Sequence, residues 1–189
     1  VHRWVDPVAG ERYRALDVVP PATVALDQTV YLFASRTARP VDVTVKSGDA
    51  TVEGNLQLEL PAGWTATPAR VRVTCSPGKP DTIVRFRVTP PAAAATGMAQ
   101  AFIETEFGQR FGRQRVTIDY PHIPPQTLLP GAGARLVRAE LQTRGKFVGY
   151  VMGSGDPVPA ALGQMGFQVT LLNDDDIERG DLARFSAIV

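Results

Sequence analysis

The stretch Val41-Asp-Val-Thr-Val-Lys46 sets single valines against single polar residues, so every second side chain belongs to one face. A two-residue period of this kind is the mark of a pleated strand with one face buried and the other wet. The pattern repeats outward from there. Leu56, Leu58 and Leu60 alternate with Gln57 and Glu59, Val71, Val73 and Cys75 with Arg70, Arg72 and Thr74, and Val84, Phe86 and Val88 with Arg85 and Arg87. Val116, Ile118 and Tyr120 do the same against Arg115, Thr117 and Asp119. Adding segments 29–35 and 100–107 gives seven expected strands, separated by turn sequences such as Ser76-Pro-Gly-Lys-Pro80. A strand with one apolar face needs a second layer to cover it, so the expectation over 22–123 is an immunoglobulin-like β-sandwich in a mainly β chain. Residues 1–21 read as an N-terminal tail.

The bulk composition narrows the partners. With 20 basic and 19 acidic side chains the net charge is +1, a balance that selects neither nucleic acid nor an anionic membrane surface. No run approaches the ~18 apolar residues that span a bilayer. Cys75 is the only cysteine, which excludes an internal disulfide framework and leaves the sandwich to be held by packing. No nucleic-acid or membrane partner is expected.

Beyond the sandwich the pattern changes. Residues 124–145 are rich in Pro and Gly and read as a linker containing an uncertain strand over 135–142. From 146 the order becomes strand, glycine turn, helix, strand. Phe147-Val-Gly-Tyr-Val-Met152 is a nearly continuous apolar run, as in a parallel strand covered on both faces. Gly153-Ser-Gly155 turns the chain, Asp156 is placed to cap a helix with Pro157 at its first position, and Gly166 ends that helix. A second strand over 167–172 and a third beginning at Phe185 complete the opening of a doubly wound, flavodoxin-like α/β segment over 146–189. The chain stops inside that third strand, so the expectation is an excised piece of a larger protein.

Two sets of residues carry resemblances. Leu58-Glu-Leu-Pro-Ala-Gly-Trp64, with Val71-Arg-Val73, Val84-Arg-Phe-Arg-Val-Thr-Pro-Pro91 and Gly97, resembles the immunoglobulin-like module attached to alpha-galactosidases and other carbohydrate-active enzymes. The stretch 148–166, with Val169-Thr-Leu-Leu172 and 181–189, resembles the C-terminal region of large bacterial PIG-L (LmbE-like) deacetylase proteins. There a zinc-dependent de-N-acetylase domain is followed by a sandwich and then by a class I glutamine amidotransferase-like domain. That resemblance implies a parent hydrolase, other domains of the same chain as partners, and secretion or a periplasmic location. It carries no active site into this chain, because the family's His-Pro-Asp-Asp run is absent: Arg3 follows His2 and Ile123 follows His122.

The candidate ligand-binding residues are Gly153, Ser154, Gly155, Asp156 and Trp64. A strand, two glycines and a helix start present backbone N–H groups to an anion, and Asp174 lies about twenty residues on, where a dinucleotide fold places its ribose-binding acid. Val158 in place of a third glycine, and Asp156 at the helix mouth, weigh against phosphate. Trp64 is either a platform for stacking a sugar or a plug of the core, and the area a Trp buries weights the second. The arginines of Arg110-Phe-Gly-Arg-Gln-Arg115 read as a solvated strand face paired with Glu104 and Glu106 rather than as a nucleic-acid surface. The acidic run 173–176 reads as a helix start rather than a calcium loop. No catalytic residue, metal site or cofactor is expected within these 189 residues. The expected function is a non-catalytic accessory region of a de-N-acetylase, a scaffold or a glycan-binding module. The alternative is part of a nucleotide- or anion-binding α/β enzyme domain. A homodimer through 146–189 is a further expectation, from its unpaired apolar edge.

Overall fold

The structure is a computed structural model; it describes residues 1–189 except 9, 15, 121, 154 and 181, and at Arg14 the backbone alone. β1 (His2–Asp6) and β2 (Gly10–Arg14) form an antiparallel hairpin. There follow β3 (Ala22–Leu26), β4 (Val30–Phe33), β5 (Arg39–Ser47), β6 (Val52–Glu59), β7 (Thr65–Thr67), β8 (Arg70–Cys75), β9 (Thr82–Thr89) and β10 (Ala95–Glu104). After them come β11 (Arg110–Phe111), β12 (Val116–Ile118), β13 (Gln126–Leu128) and β14 (Gly133–Arg138). The chain closes with β15 (Phe147–Val151), α1 (Val158–Met165), β16 (Gln168–Leu172), α2 (Asp174–Glu178) and β17 (Ala187–Ile188).

Two sheets form an immunoglobulin-like sandwich. One runs β3-β5-β9-β7; the other runs β4-β14-β10-β6-β8, with β11 continuing beside β10. Every pair is antiparallel except β4 with β14. The alternating apolar residues meet between the sheets: Val43, Val45, Leu56, Phe86 and Val88 are fully buried, with Val41, Val73 and Cys75 close behind. Each large side chain so buried contributes about 1.5–3 kcal/mol relative to exposure.

The last strand of the sandwich differs from the sequence reading. Among the described residues Val116–Ile118 pairs only with β13, in a two-stranded sheet separate from the two sheets of the sandwich. Alternation reports a pleat, not the layer that covers it, and Val116 is accordingly exposed. The closing strand is β14, within the expected linker, which fills the gap between β4 and β10. Ala134 pairs with Ala99 there, and both are almost fully buried. Small side chains carry little hydrophobic signal in a sequence even where, as here, they are buried.

Residues 1–21, expected as a tail, contain the β1–β2 hairpin. Its strands are largely exposed, so they have no one-sided apolar pattern to read. Thr127 Oγ1 donates to Asp17 Oδ2 at 2.6 Å, tying the chain after β2 to β13.

In the C-terminal segment β15 lies between β16 and β17, all parallel. Val148, Tyr150 and Leu172 are its buried side chains. The residue N-terminal to α1 is Pro157, one position later than the cap expected at Asp156, and Gly166 ends the helix at φ 102°. This helix also rests on the sandwich: Gln164 Oε1 accepts the Leu32 N–H of edge strand β4 at 2.7 Å, and Gln164 Nε2 donates to Gln28 Oε1 at 2.5 Å.

Candidate functional site

The glycine turn follows β15, the central strand, at the point where the chain departs to one neighbour before returning to the other. Gly155 takes φ +67°, a conformation that favours glycine. Its N–H donates to Gly153 O at 2.9 Å. Asp156 Oδ1 accepts the Val158 N–H at 3.1 Å and the Tyr150 hydroxyl at 2.8 Å, and that hydroxyl's pKa is raised chiefly by the bond. A Cβ at position 153 would lie 3.1 Å from Asp156 Oδ2, so the carboxylate folds back across the turn. The N–H groups of residues 155 and 158 are thus engaged within the protein, and a negative charge occupies the helix mouth. Ser154 lies outside the described residues.

Trp64 is far from this turn. It is 6% exposed and packs edge-on against Phe33, with ring centroids 5.0 Å apart, among Tyr31, Val41, Val88 and Leu136. The local sequence directs it there. Trp64 N–H donates to Pro61 O at 3.1 Å across a turn whose third residue, Gly63, has φ +82°. A positive φ at that position is met by glycine. The Pro61 ring lies against Gly97 of β10, where a Cβ would overlap it. The Leu-Pro-x-Gly-Trp element and Gly97 are therefore one packing unit, and the indole offers no open face to a sugar.

The basic segment after β10 is partly neutralised. Arg110 Nε lies 3.1 Å from Glu104 Oε1, and its guanidinium is 4.0 Å from the Phe102 ring centroid. Glu106 turns instead to Arg72, at 2.9 Å, which also reaches Glu53 at 3.4 Å. These three charges line a cleft of about 470 Å³ at one end of the sandwich and answer one another there. The run 173–176 opens α2 as a capping box: Asn173 Oδ1 accepts the Asp176 N–H at 2.9 Å and Asp176 Oδ2 accepts the Asn173 N–H at 3.1 Å. Among the described residues no three His, Cys, Asp or Glu side chains gather as a metal site.

A second cleft, of about 440 Å³, opens between the β1–β2 hairpin and the connection from β12 to β13. Trp4, Tyr13, Tyr120 and His122 line it, with Asp6, Glu11, Arg12 and Asp119. Nothing in the sequence joins these residues, which come from two distant segments with no shared motif. The one available signal is aromatic rings standing in otherwise polar stretches.

Residues 34–104, β5 through β10, match the family model described as NPCBM-associated, NEW3 domain of alpha-galactosidase. The matched part is a little over a third of the chain and contains both the Leu-Pro-x-Gly-Trp element and Gly97. The alpha-galactosidase-associated half of the sequence resemblance is supported by it. No curated protein matches the chain. Among solved structures, the native conformation of E. coli alpha-2-macroglobulin is similar at 15% identity and TM-score 0.41, over 73% of this chain and 8% of that one.

Proposed function

We propose that this chain is an accessory region of a carbohydrate-active protein, with the sandwich as a scaffold that holds the α/β segment in a fixed position. The observation that carries the reading is the match of β5–β10 to a domain associated with alpha-galactosidase. The Gln164 contacts to β4 support the scaffold role, because they join the two parts by side-chain-specific hydrogen bonds. The parent we infer is a PIG-L-like zinc-dependent de-N-acetylase. Its support is the resemblance of 147–189 to the amidotransferase-like part of those proteins, together with a sandwich preceding it. In this reading the parallel segment is the start of a doubly wound domain.

A second reading, a nucleotide- or anion-binding α/β domain, is favoured by the position of the glycine turn beside the central strand, where ligands bind in open α/β sheets. Asp156 opposes it, since a phosphate would have to displace that carboxylate. Thermal unfolding of the chain with ATP, NAD and inorganic phosphate discriminates the two. The accessory reading expects no rise in Tm with any of them. A saturable rise that grows in Asp156→Asn overturns it in favour of the second. Zinc-dependent acetate release from an N-acetylated substrate is expected only of a polypeptide that also carries a His-Pro-Asp-Asp run.

A further inference from the structure

Two of the five Trp, Tyr and Phe side chains that stand exposed among the described residues, Trp4 and Tyr120, come together at one cleft. Trp4 is 40% exposed and Tyr120 57%, and both line the cleft between the hairpin and the β12–β13 connection, whereas Tyr13, at its rim, pairs with Arg3 and so stands on the ribbon face opposite Trp4. Two of the rings are backed by another. Trp4 stacks on His2 with centroids 5.6 Å apart and planes 23° from parallel, and Tyr120 stacks on His122 at 5.8 Å and 25°. Stacking restricts the plane of each ring, so the cleft presents oriented aromatic faces to water. Among the described residues neither ribbon puts a side chain into the buried core, so burial does not account for these rings. The chain just after the hairpin is nonetheless tied to β13 by the Thr127–Asp17 hydrogen bond.

The volume of about 440 Å³ lies within the ~300–1,000 Å³ range of small-molecule sites. Its polar lining is net acidic, with the carboxylates of Asp6 and Asp119 against the guanidinium of Arg12, while Glu11 shares the other face of the hairpin with Arg3. Ionised carboxylates accept hydrogen bonds from hydroxyl and ammonium groups and repel other anions. Asp6 already accepts the Val8 N–H at 2.8 Å and Glu11 lies 3.6 Å from Arg3, so Asp119 is the acceptor best placed for a ligand. Aromatic faces for the apolar side of a sugar ring, beside carboxylates for its hydroxyls, are the two halves of a pyranose site.

We infer that this cleft binds an oligosaccharide of neutral or amine-bearing pyranoses and rejects acidic ones. The inference rests on the accessory reading and names the ligand class and the place of contact.

The protein supplies its own probe. Of its two tryptophans, Trp64 is buried and Trp4 is exposed, so acrylamide-quenchable emission comes mainly from Trp4. The whole chain is titrated with N-acetylchitohexaose, fully deacetylated chitohexaose and hexagalacturonate. The first two are expected to shield Trp4 saturably, the amine-bearing one more tightly, and hexagalacturonate to leave quenching unchanged. Tyr120→Ala should weaken binding about tenfold with an unchanged circular dichroism spectrum. Asp119→Asn should bring the amine-bearing sugar to the affinity of the neutral one. Binding that survives Tyr120→Ala undiminished moves the sugar elsewhere and overturns the cleft while keeping the carbohydrate reading. Binding of none of the probes, or of hexagalacturonate best, overturns the cleft and leaves the scaffold reading standing.

Discussion

Tyr31 links the two sheets through one hydroxyl. It is 2% exposed on β4, donates to Asp27 Oδ1, and receives the Gln28 N–H at 3.3 Å. The same Asp27 oxygen accepts the Asp42 N–H of β5, in the opposite sheet, at 3.0 Å. Burial raises the Tyr31 pKa far above the ordinary tyrosine value, and the Asp27 carboxylate adds to the shift. Asp42 carries the opposite shift, since Arg85 grips its carboxylate with two bonds of 2.7 Å and holds its pKa below the usual range. An unfolded chain ionises its tyrosine near ~10, while the folded one keeps the proton. The stabilisation from Tyr31 is therefore full below that pH and is lost as pH rises past it. For Asp42 the unfolded carboxyl takes up its proton first, so stabilisation present above the carboxylate range is lost as pH falls through the folded pKa. Tyr31→Phe should cost about 1.5–3 kcal/mol at neutral pH, the scale of a hydrogen bond to a charged acceptor. Urea unfolding of both proteins from pH 7 to 11 checks this, and the gap between them should narrow above pH 10. A constant gap would mean that the hydroxyl does not carry the alkaline loss.

At the scale of elements, the strands legible in the sequence are those that bury one face between layers. β5, β6, β8 and β9 show their alternation because Val43, Leu56, Val73 and Phe86 each meet the opposite sheet. β14 overlaps the uncertain strand read over 135–142 but begins two residues earlier and belongs to the sandwich, because its fit to β10 depends on Ala134 against Ala99, and small residues beside Pro and Gly resemble a linker. β12 misled for the converse reason: its alternation is real, but its only strand partner is β13. The glycine turn was visible as strand, glycines and helix, whereas the closure of that turn by Asp156 depends on Tyr150 reaching it in space. Gln164 was equally invisible, being one polar residue in a helix read for its apolar face. Its partner is the N–H of an edge strand, a group that needs an acceptor when water is excluded. In Gln164→Ala the amide of Leu32 loses that acceptor. Hydrogen exchange followed by NMR should show Leu32 exchanging about five- to tenfold faster, with β5 and β9 unchanged, in keeping with a net ~1 kcal/mol for one hydrogen bond. An unchanged Leu32 rate would mean that the helix does not shield β4 in solution.

The whole molecule is unevenly built. Between its two sheets the sandwich buries two core clusters, one around Ala22 and Cys75 and the other around Trp64 and Leu136, bridged by the partly buried Leu26, Leu58 and Ala66. Residues 147–189 bury little beyond Val148, Tyr150 and Leu172, and leave Phe147, Leu171 and Ile188 about half exposed. About forty residues is near the lower limit for an independent core, so this segment depends on neighbours for its stability. In this structure its neighbour is β4, met through α1. An element with few buried apolar groups opens at lower free energy than the core beside it. The backbone bonds of β15, such as Val151 N–H to Val189 O at 2.7 Å and Val189 N–H to Gly149 O at 2.9 Å, should then open at least ~2 kcal/mol more easily than the β5–β9 ladder. Native-state hydrogen exchange in low denaturant measures both. Loss of the Gln164 contacts should lower the β15 value further and leave β5–β9 where it was. Equal opening energies in the two regions would instead make the chain one cooperative unit, and the sandwich would then be part of the α/β segment's own core rather than the support on which it leans.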